Sequence, residues 1–219
     1  MTRSYRMGAG LVPALRELSL EIGEGEFVAI QGPSGSGKTT LLNVLGLLDR
    51  PDSGNLRIQG EDAGSLDENE RSDLRRDRFG FVFQTFNLIP VLSAAENVAY
   101  PMALKGLSRK EQGERSRELL ESVGIAEKAD VRPDLLSGGQ RQRVAIARAL
   151  ANAPAVVLAD EPTANLDSKT AEEILDLMRS INASRGVAFL FATHDPRVVS
   201  RARRVVSLQD GGIVSDERR

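Results

Sequence analysis

Glu26-Phe-Val-Ala-Ile-Gln31-Gly32-Pro33-Ser34-Gly35-Ser36-Gly37-Lys38-Thr39-Thr40 sets an apolar strand, a glycine-rich turn and the start of a helix end to end. The strand residues are apolar almost throughout, as in a strand buried on both faces of a parallel sheet. Lys38 to Leu48 has the length and leucine content of a helix. Strand, glycine turn and helix together open an α/β unit. The turn matches G-x-x-x-x-G-K-[ST], with Gly32, Gly37, Lys38 and Thr39 at the fixed positions. Glycines let backbone N–H groups converge on phosphate oxygens, and the following helix points its positive dipole end at them. Ser34, Gly35, Ser36 and Thr40 complete the candidate cradle. Lys38 would reach the β- and γ-phosphates, and the Thr39 hydroxyl would ligate Mg²⁺.

Outward from that turn, further strands are expected at Gly80–Gln84, Ala155–Ala159, Val187–Thr193 and Arg204–Leu208. From about Ser93 to Ala151 no strand pattern occurs and helix starts repeat. Ser93 and Glu96, like Ser108 and Glu111, have capping-box spacing. Ser168 to Ser184 reads as an amphipathic helix, with Ile174, Leu177, Met178 and Ile181 on one stripe. The expected organisation is an α/β core at 1–85 and 141–219, with a helical insertion at 86–140. No repeat, linker or low-complexity segment interrupts it.

Two more sites carry chemistry. Val156-Val-Leu-Ala-Asp160-Glu161 is an apolar strand ending in adjacent carboxylates. Alone, such a pair is equally a solvated turn; beside a phosphate loop the roles separate. Asp160 can hold Mg²⁺, directly or through water, and Glu161 can polarise a water for attack on the γ-phosphate. Leu136-Ser137-Gly138-Gly139-Gln140 precedes a helix expected at Arg141–Ala151. Ser137 and Gln140 fit a capping box, but Ser-Gly-Gly at a helix N-terminus is also a second anion site. One nucleotide does not need two, so the second could serve a nucleotide held by another chain.

With these residues in place, the sequence resembles the nucleotide-binding subunit of an ATP-binding cassette (ABC) transporter. Gln84 matches the Q-loop, Ala164-Asn165-Leu166-Asp167 the D-loop and Thr193-His194-Asp195 the switch histidine, all in family order. Tyr5 matches the aromatic that stacks on adenine. Relatives usually have a further strand before it; here either the start is truncated or that edge strand is absent, which is expected to leave Tyr5 poorly anchored. The resemblance implies the P-loop NTPase fold of an ABC nucleotide-binding domain, with the helical insertion and an antiparallel β edge. It further implies ATP and Mg²⁺ as ligands and a head-to-tail dimer. Each ATP would lie between one chain's phosphate loop and the other chain's Ser137, Gly138, Gly139 and Gln140, with Asp167 nearby. Gln84 would touch Mg²⁺ and the attacking water and couple them to the helical insertion, where membrane subunits dock. His194 would contact the γ-phosphate and help position Glu161. Thr163 reads as scaffold.

Gly46-Leu-Leu-Asp-Arg-Pro51, Phe81–Pro90 and Ala159–Asp167 narrow the resemblance to the lipoprotein-release and macrolide-exporter branch. Its members pair with permeases that carry large extracytoplasmic domains. A chain ending at Arg219 implies a permease on a separate polypeptide. Two alternatives follow from the same motor. One is a regulatory ATPase signalling through a membrane partner to a cell-wall hydrolase, the other a soluble ABC ATPase without transport.

Composition narrows the classes. Of 219 residues 41% are hydrophobic, enough for one or two cores. The net charge of −2, from 29 Lys and Arg against 31 Asp and Glu, lacks the basic excess of a nucleic-acid binder. With no cysteine and one histidine, disulfide scaffolds, thiolate nucleophiles and His-rich metal sites are excluded. The longest apolar run, Val144 to Ala159, is broken by Arg148, Asn152 and Pro154, so no spanning helix is expected. Met1–Arg6 leads into no apolar signal region. The expected location is the cytoplasm, at the inner face of the plasma membrane. The basic run Arg197–Arg204 is expected to be the solvated face of a short helix.

Overall fold

The computed structural model describes residues 1–8 and 10–219. In chain order, a hairpin of β1 (Arg3–Met7) and β2 (Gly10–Leu15) precedes β3 (Phe27–Gln31) and α1 (Lys38–Leu45). A short hairpin of β4 (Arg57–Ile58) and β5 (Glu61–Asp62) leads to α2 (Glu68–Arg78) and β6 (Phe79–Val82). Three helices follow: α3 (Ala94–Leu104), α4 (Arg109–Ser122) and α5 (Gly138–Ala149). The chain closes with β7 (Val156–Asp160), α6 (Ser168–Arg185), β8 (Ala188–Thr193), α7 (Pro196–Arg201), β9 (Arg204–Gln209) and β10 (Gly212–Arg218).

The central sheet runs β10-β9-β3-β8-β7-β6. All its pairings are parallel except β10 on β9, which forms the antiparallel edge. The two-residue period of a strand divides β3 between two cores. Phe27 and Ala29 join the core under α3–α6 with Val157, Phe189 and Phe191. Val28 and Ile30 join the core under α1 with Leu41, Val44, Leu158 and Val206. All six residues of β8 are buried, as its unbroken apolar sequence requires. No helix among the described residues is long and apolar enough to cross a membrane.

Ser93 and Ser108 form the expected capping boxes with Glu96 and Glu111. Other boundaries differ from expectation. β6 ends at Val82, its last residue paired with β7, and Gln84 lies in a turn beyond it. The left-handed backbone at Phe86 (φ 63°) and Asn87 (φ 49°) turns the chain away from the sheet. α1 stops at Leu45, and the left-handed backbone at Leu47 (φ 60°) turns the chain away; Gly46 between them abuts the sheet, where a Cβ would lie 2.6 Å from Leu158 and 2.7 Å from Phe81. α5 starts three residues earlier than expected, where Ser137 caps it.

The basic run is not uniformly solvated. Arg201 pairs with Asp176 from α7, but Arg204 lies in β9, only 7% exposed. Its guanidinium bonds Glu26, Asp216 and the Glu21 carbonyl, tying the β9–β10 edge to the entrance of β3.

Candidate active site

Parallel pairing sets Gln31 beside Thr193 and Asp160 beside Ala192, so β3, β8 and β7 end on one line. From β3 the chain crosses to β6 at the far edge, whereas β8 leads to β9 on the other side of β3. Open parallel sheets bind ligands at such reversals. The glycine loop starts there. Gly32 (φ 157°) and Gly37 (φ 101°) admit no side chain: a Cβ would stand 2.3 Å from the Leu208 carbonyl oxygen and 2.4 Å from that of Ala14. Gly37 caps α1 without a side-chain acceptor, so the first-turn N–H groups are offered to an anion. Lys38 Nζ donates to the Gly32 and Pro33 carbonyls at 2.8 and 3.0 Å, drawing the cation over the loop.

Thr39, one turn into the cradle, donates its hydroxyl to both Asp160 oxygens at 3.0 and 3.2 Å. Burial pushes the Asp160 carboxyl up, and the charge of Glu161 adds to this, against the opposing pull of Thr39 and Lys38. A half-buried carboxylate and a hydroxyl oxygen are hard donors that suit Mg²⁺, whose charge would offset the cost of ionising Asp160.

Glu161 sits just beyond β7 in a left-handed conformation (φ 46°), a strain worth about 1–3 kcal/mol for a non-glycine residue. Its own N–H donates to the Ala192 carbonyl at 2.9 Å, which pins the turn to β8. The carboxylate is then held by β8's end. Thr193 Oγ1 donates to Oε2 at 3.0 Å, the His194 amide donates to Oε1 at 3.1 Å, and His194 Nδ1 lies 2.5 Å from Oε1. A proton on Nδ1 leaves Nε2 of this exposed ring for another partner. Below it, Asp195 accepts from the Thr163 hydroxyl at 2.8 Å and from the Arg197 guanidinium. Burial raises the Asp195 carboxyl, but the bonds from Arg197 and Thr163 outweigh it and hold it at about 2.

The remaining expected residues lie in three groups. Ser137 and Gln140 form a reciprocal capping box on α5, and Asp167 caps α6 through the Thr170 amide and hydroxyl. Among the described residues no hydrogen bond joins Ser137–Gln140 to the chain's own glycine loop. Gln84 is exposed, and its backbone carbonyl accepts from Asn165 Nδ2 at 2.8 Å. Its side chain bonds none of Thr39, Asp160 or Glu161 among the described residues. Tyr5 is firmly anchored, against expectation. It lies within β1, its hydroxyl donates to Asp49 at 2.7 Å, and the Arg3 guanidinium sits 4.8 Å from its ring centre.

Residues 15–164 match the family model described as ABC transporter. The chain belongs to the ABC transporter family. It is 50% identical over 213 residues to a macrolide export ATP-binding/permease protein MacB of Syntrophobacter fumaroxidans, covering 96% of this chain and 30% of that one. It thus spans about a third of the length of such MacB relatives. It is 46% identical over 222 residues to an uncharacterized ABC transporter ATP-binding protein, MJ0796, of Methanocaldococcus jannaschii, covering 94% of that chain. Two solved structures of MJ0796 superpose with a TM-score of 0.91, covering 99% of this cassette. Both are dimeric, and one is described as a post-hydrolysis state bound to ADP and Pi.

Within the cassette, sequence reading named the candidate reactive groups and missed the residues that hold them. Thr193 and Asp195 flank the switch histidine in the quoted motif but carried no role of their own. Thr163, read as scaffold, is that: 1% exposed and spent on Asp195. The Asn165 link to Gln84 and the Asp49 link to Tyr5 span 81 and 44 residues, and no local pattern signals either.

Proposed function

We propose that this cassette hydrolyses ATP as the motor of a membrane exporter or extractor of the macrolide-export and lipoprotein-release type. It would work as a head-to-tail dimer on a permease with extracytoplasmic domains, at the cytoplasmic face of the membrane. One observation carries the reading: the Glu161 carboxylate, clamped by Thr193 and His194, stands at a strand end beside the Asp160–Thr39 pair and the Lys38 loop.

In this reading the glycine loop and the α1 N-terminus bind the phosphates, and Lys38 leaves the loop carbonyls for the β- and γ-phosphate oxygens. Thr39 and Asp160 would hold Mg²⁺, which when bound neutralises charge on those oxygens. Water attacks the γ-phosphorus in line as the bond to the bridging oxygen breaks. Glu161 accepts the water's proton, and its three donors fix the lone pair that does so. With Nδ1–H donating to Glu161, a second proton on Nε2 would let the His194 ring donate to the γ-phosphate. Gln84, tethered through its backbone to Asn165, would report this state to the helical segment. Tyr5 would stack on adenine. Ser137, Gly138, Gly139 and Gln140 would bind the partner's nucleotide, with Asp167 at the same interface. Apolar Tyr100 and Leu104 are exposed on α3 beside Phe81 and Phe83, which supports docking of a membrane subunit there.

Glu161→Gln tests the proposal. It should still bind ATP, lose hydrolysis by at least ~10²-fold and accumulate an ATP-bound dimer in light scattering. Turnover near that of the unmodified protein would remove Glu161 as the base.

A further inference from the structure

The adenine platform raises a question that its stacking role does not answer: what fixes the ring's place relative to the phosphates. A tyrosine in a two-strand hairpin has little sheet to hold it. Here, however, a carboxylate reached through α1 grips it from outside. Asp49 lies four residues past the end of α1, the helix whose first turn forms the phosphate cradle. Its Oδ2 accepts from the Tyr5 hydroxyl at 2.7 Å. The same carboxylate receives Arg3 in a two-pronged contact, Nε to Oδ2 at 3.0 Å and Nη2 to Oδ1 at 2.8 Å. Arg3 continues to Asp52 at 2.7 Å, and its guanidinium carbon lies 4.8 Å from the Tyr5 ring centre. One face of the ring is therefore taken by a cation, so a base can stack only on the other.

Asp49 is itself immobilised. Buried Arg71, on α2, donates to the carbonyls of Leu47 and Asp49 at 3.0 and 2.9 Å, and Arg75 donates to Leu47 at 2.8 Å. The hairpin meets the other end of α1 as well, where the Ala14 carbonyl presses on Gly37. Ala14 lies two residues from Val12, the cross-strand partner of Tyr5. The hairpin is thus fixed to both ends of a helix about 12 Å long.

We propose that Asp49, with Arg3, is the positioning pair of the base platform, holding Tyr5 at a set distance from the phosphate loop through α1. The proposal rests on the reading of Tyr5 as the stacking residue. Asp49 touches no nucleotide atom in this arrangement and acts only through the tyrosine. It governs affinity for the base, not the chemistry at the γ-phosphate.

The test uses the full chain and two probes, ATP and inorganic tripolyphosphate, the latter having phosphates without a base. Tyr5→Phe removes the hydroxyl donor, and Asp49→Asn leaves one uncharged acceptor for the three donors of Tyr5 and Arg3, each while preserving shape. Each should raise the KM for ATP about 3- to 10-fold with kcat held, as expected for partial loss of an aromatic contact. Inhibition by tripolyphosphate should not change. Arg3→Ala should act likewise, and Arg3→Lys should recover part of the loss. Tyr5→Ala should weaken ATP at least as much as Asp49→Asn. The chain has two tyrosines and no tryptophan, so Tyr100→Phe leaves Tyr5 as the sole strong emitter. In that background ATP should quench emission and tripolyphosphate should not. If Tyr5→Ala weakens ATP while Asp49→Asn and Tyr5→Phe do not, Tyr5 stacks without help and the proposal fails alone. If Tyr5→Ala has no effect either, the stacking reading itself fails. If Asp49→Asn weakens both probes equally, or lowers the melting temperature in step with binding, Asp49 is a fold support and the proposal is overturned.

Discussion

The Thr193 hydroxyl donates to Glu161 and accepts from the Asp195 amide, so one side chain ties the candidate base to the carboxylate beneath it. The candidate reactive groups stood out because each lies in a fixed motif, Lys38 and Thr39 at the start of α1 and Asp160, Glu161 and His194 at or just past a strand end. Their supports were not, because threonine and asparagine carry no local signature for partners dozens of residues away. Asp195 shows how strongly such a support is held. Burial opposes its ionisation, yet Arg197 and Thr163 bring it from the ordinary 3.8 to about 2. A depressed carboxylate contributes stability that is complete above the unfolded value and is lost as pH falls through the folded one. Asp195→Asn should therefore cost about 2 kcal/mol near pH 7. Urea titrations of both proteins should show the gap closing between about pH 4 and pH 2. A gap independent of pH would mean that Asp195 contributes through packing rather than charge.

At the level of elements, the sequence announced helices best where a serine and a glutamate stood three apart. α3 and α4 form at those boxes. α2 was passed over although Asp67 and Glu70 carry the same signal and form the same box. Its helix is mostly charged, with only Arg71 buried, so no apolar stripe marks it. The β1–β2 hairpin was invisible for a related reason: its residues from Gly10 to Pro13 are exposed and lack the alternation of a half-buried strand. The Ser137–Gln140 segment forms the capping box read for it. Its serine and glutamine cap α5, and its glycines fit closely against the start of α6. A Cβ on Gly139 would stand 2.5 Å from Thr170 Cγ2, and the Thr170 hydroxyl is fixed by Asp167 at 2.6 Å. Rotation of Thr170 would break that bond, so Gly139→Ala should destabilise by about 1–3 kcal/mol through overpacking. Adding Thr170→Ser removes the obstructing methyl and keeps the hydroxyl, and should recover most of the loss in thermal melts. Failure of that rescue would put the need for glycine elsewhere, in approach to a ligand.

On the scale of the whole molecule, the sequence specified an α/β core with a helical segment, because buried parallel strands read as unbroken apolar runs. Strand order is a different matter. That β9 lies beyond β3 rather than beside β7 depends on long-range pairing, with Arg204 closing the edge onto Glu26 and Asp216. The same geometry leaves the Ser137 end of α5 exposed and unlinked to the chain's own glycine loop. A head-to-tail dimer turns that separation into a prediction about mixtures. If each composite site takes its loop from one chain and its Ser137 segment from the other, two defects can be confined to one site. Lys38→Ala in one chain and Ser137→Arg in its partner then spoil the same site and leave the second intact. Mixing those two single variants in a Glu161→Gln background should restore nucleotide-dependent dimers trapping one ATP each. Heterodimers of the double variant with Glu161→Gln alone, isolated through different tags on the two chains, have both sites spoiled and should trap none. Sites completed within one chain would give the reverse. Each single variant would then spoil its own chain's site, their mixture would trap nothing, and the double variant's Glu161→Gln partner would keep its ATP.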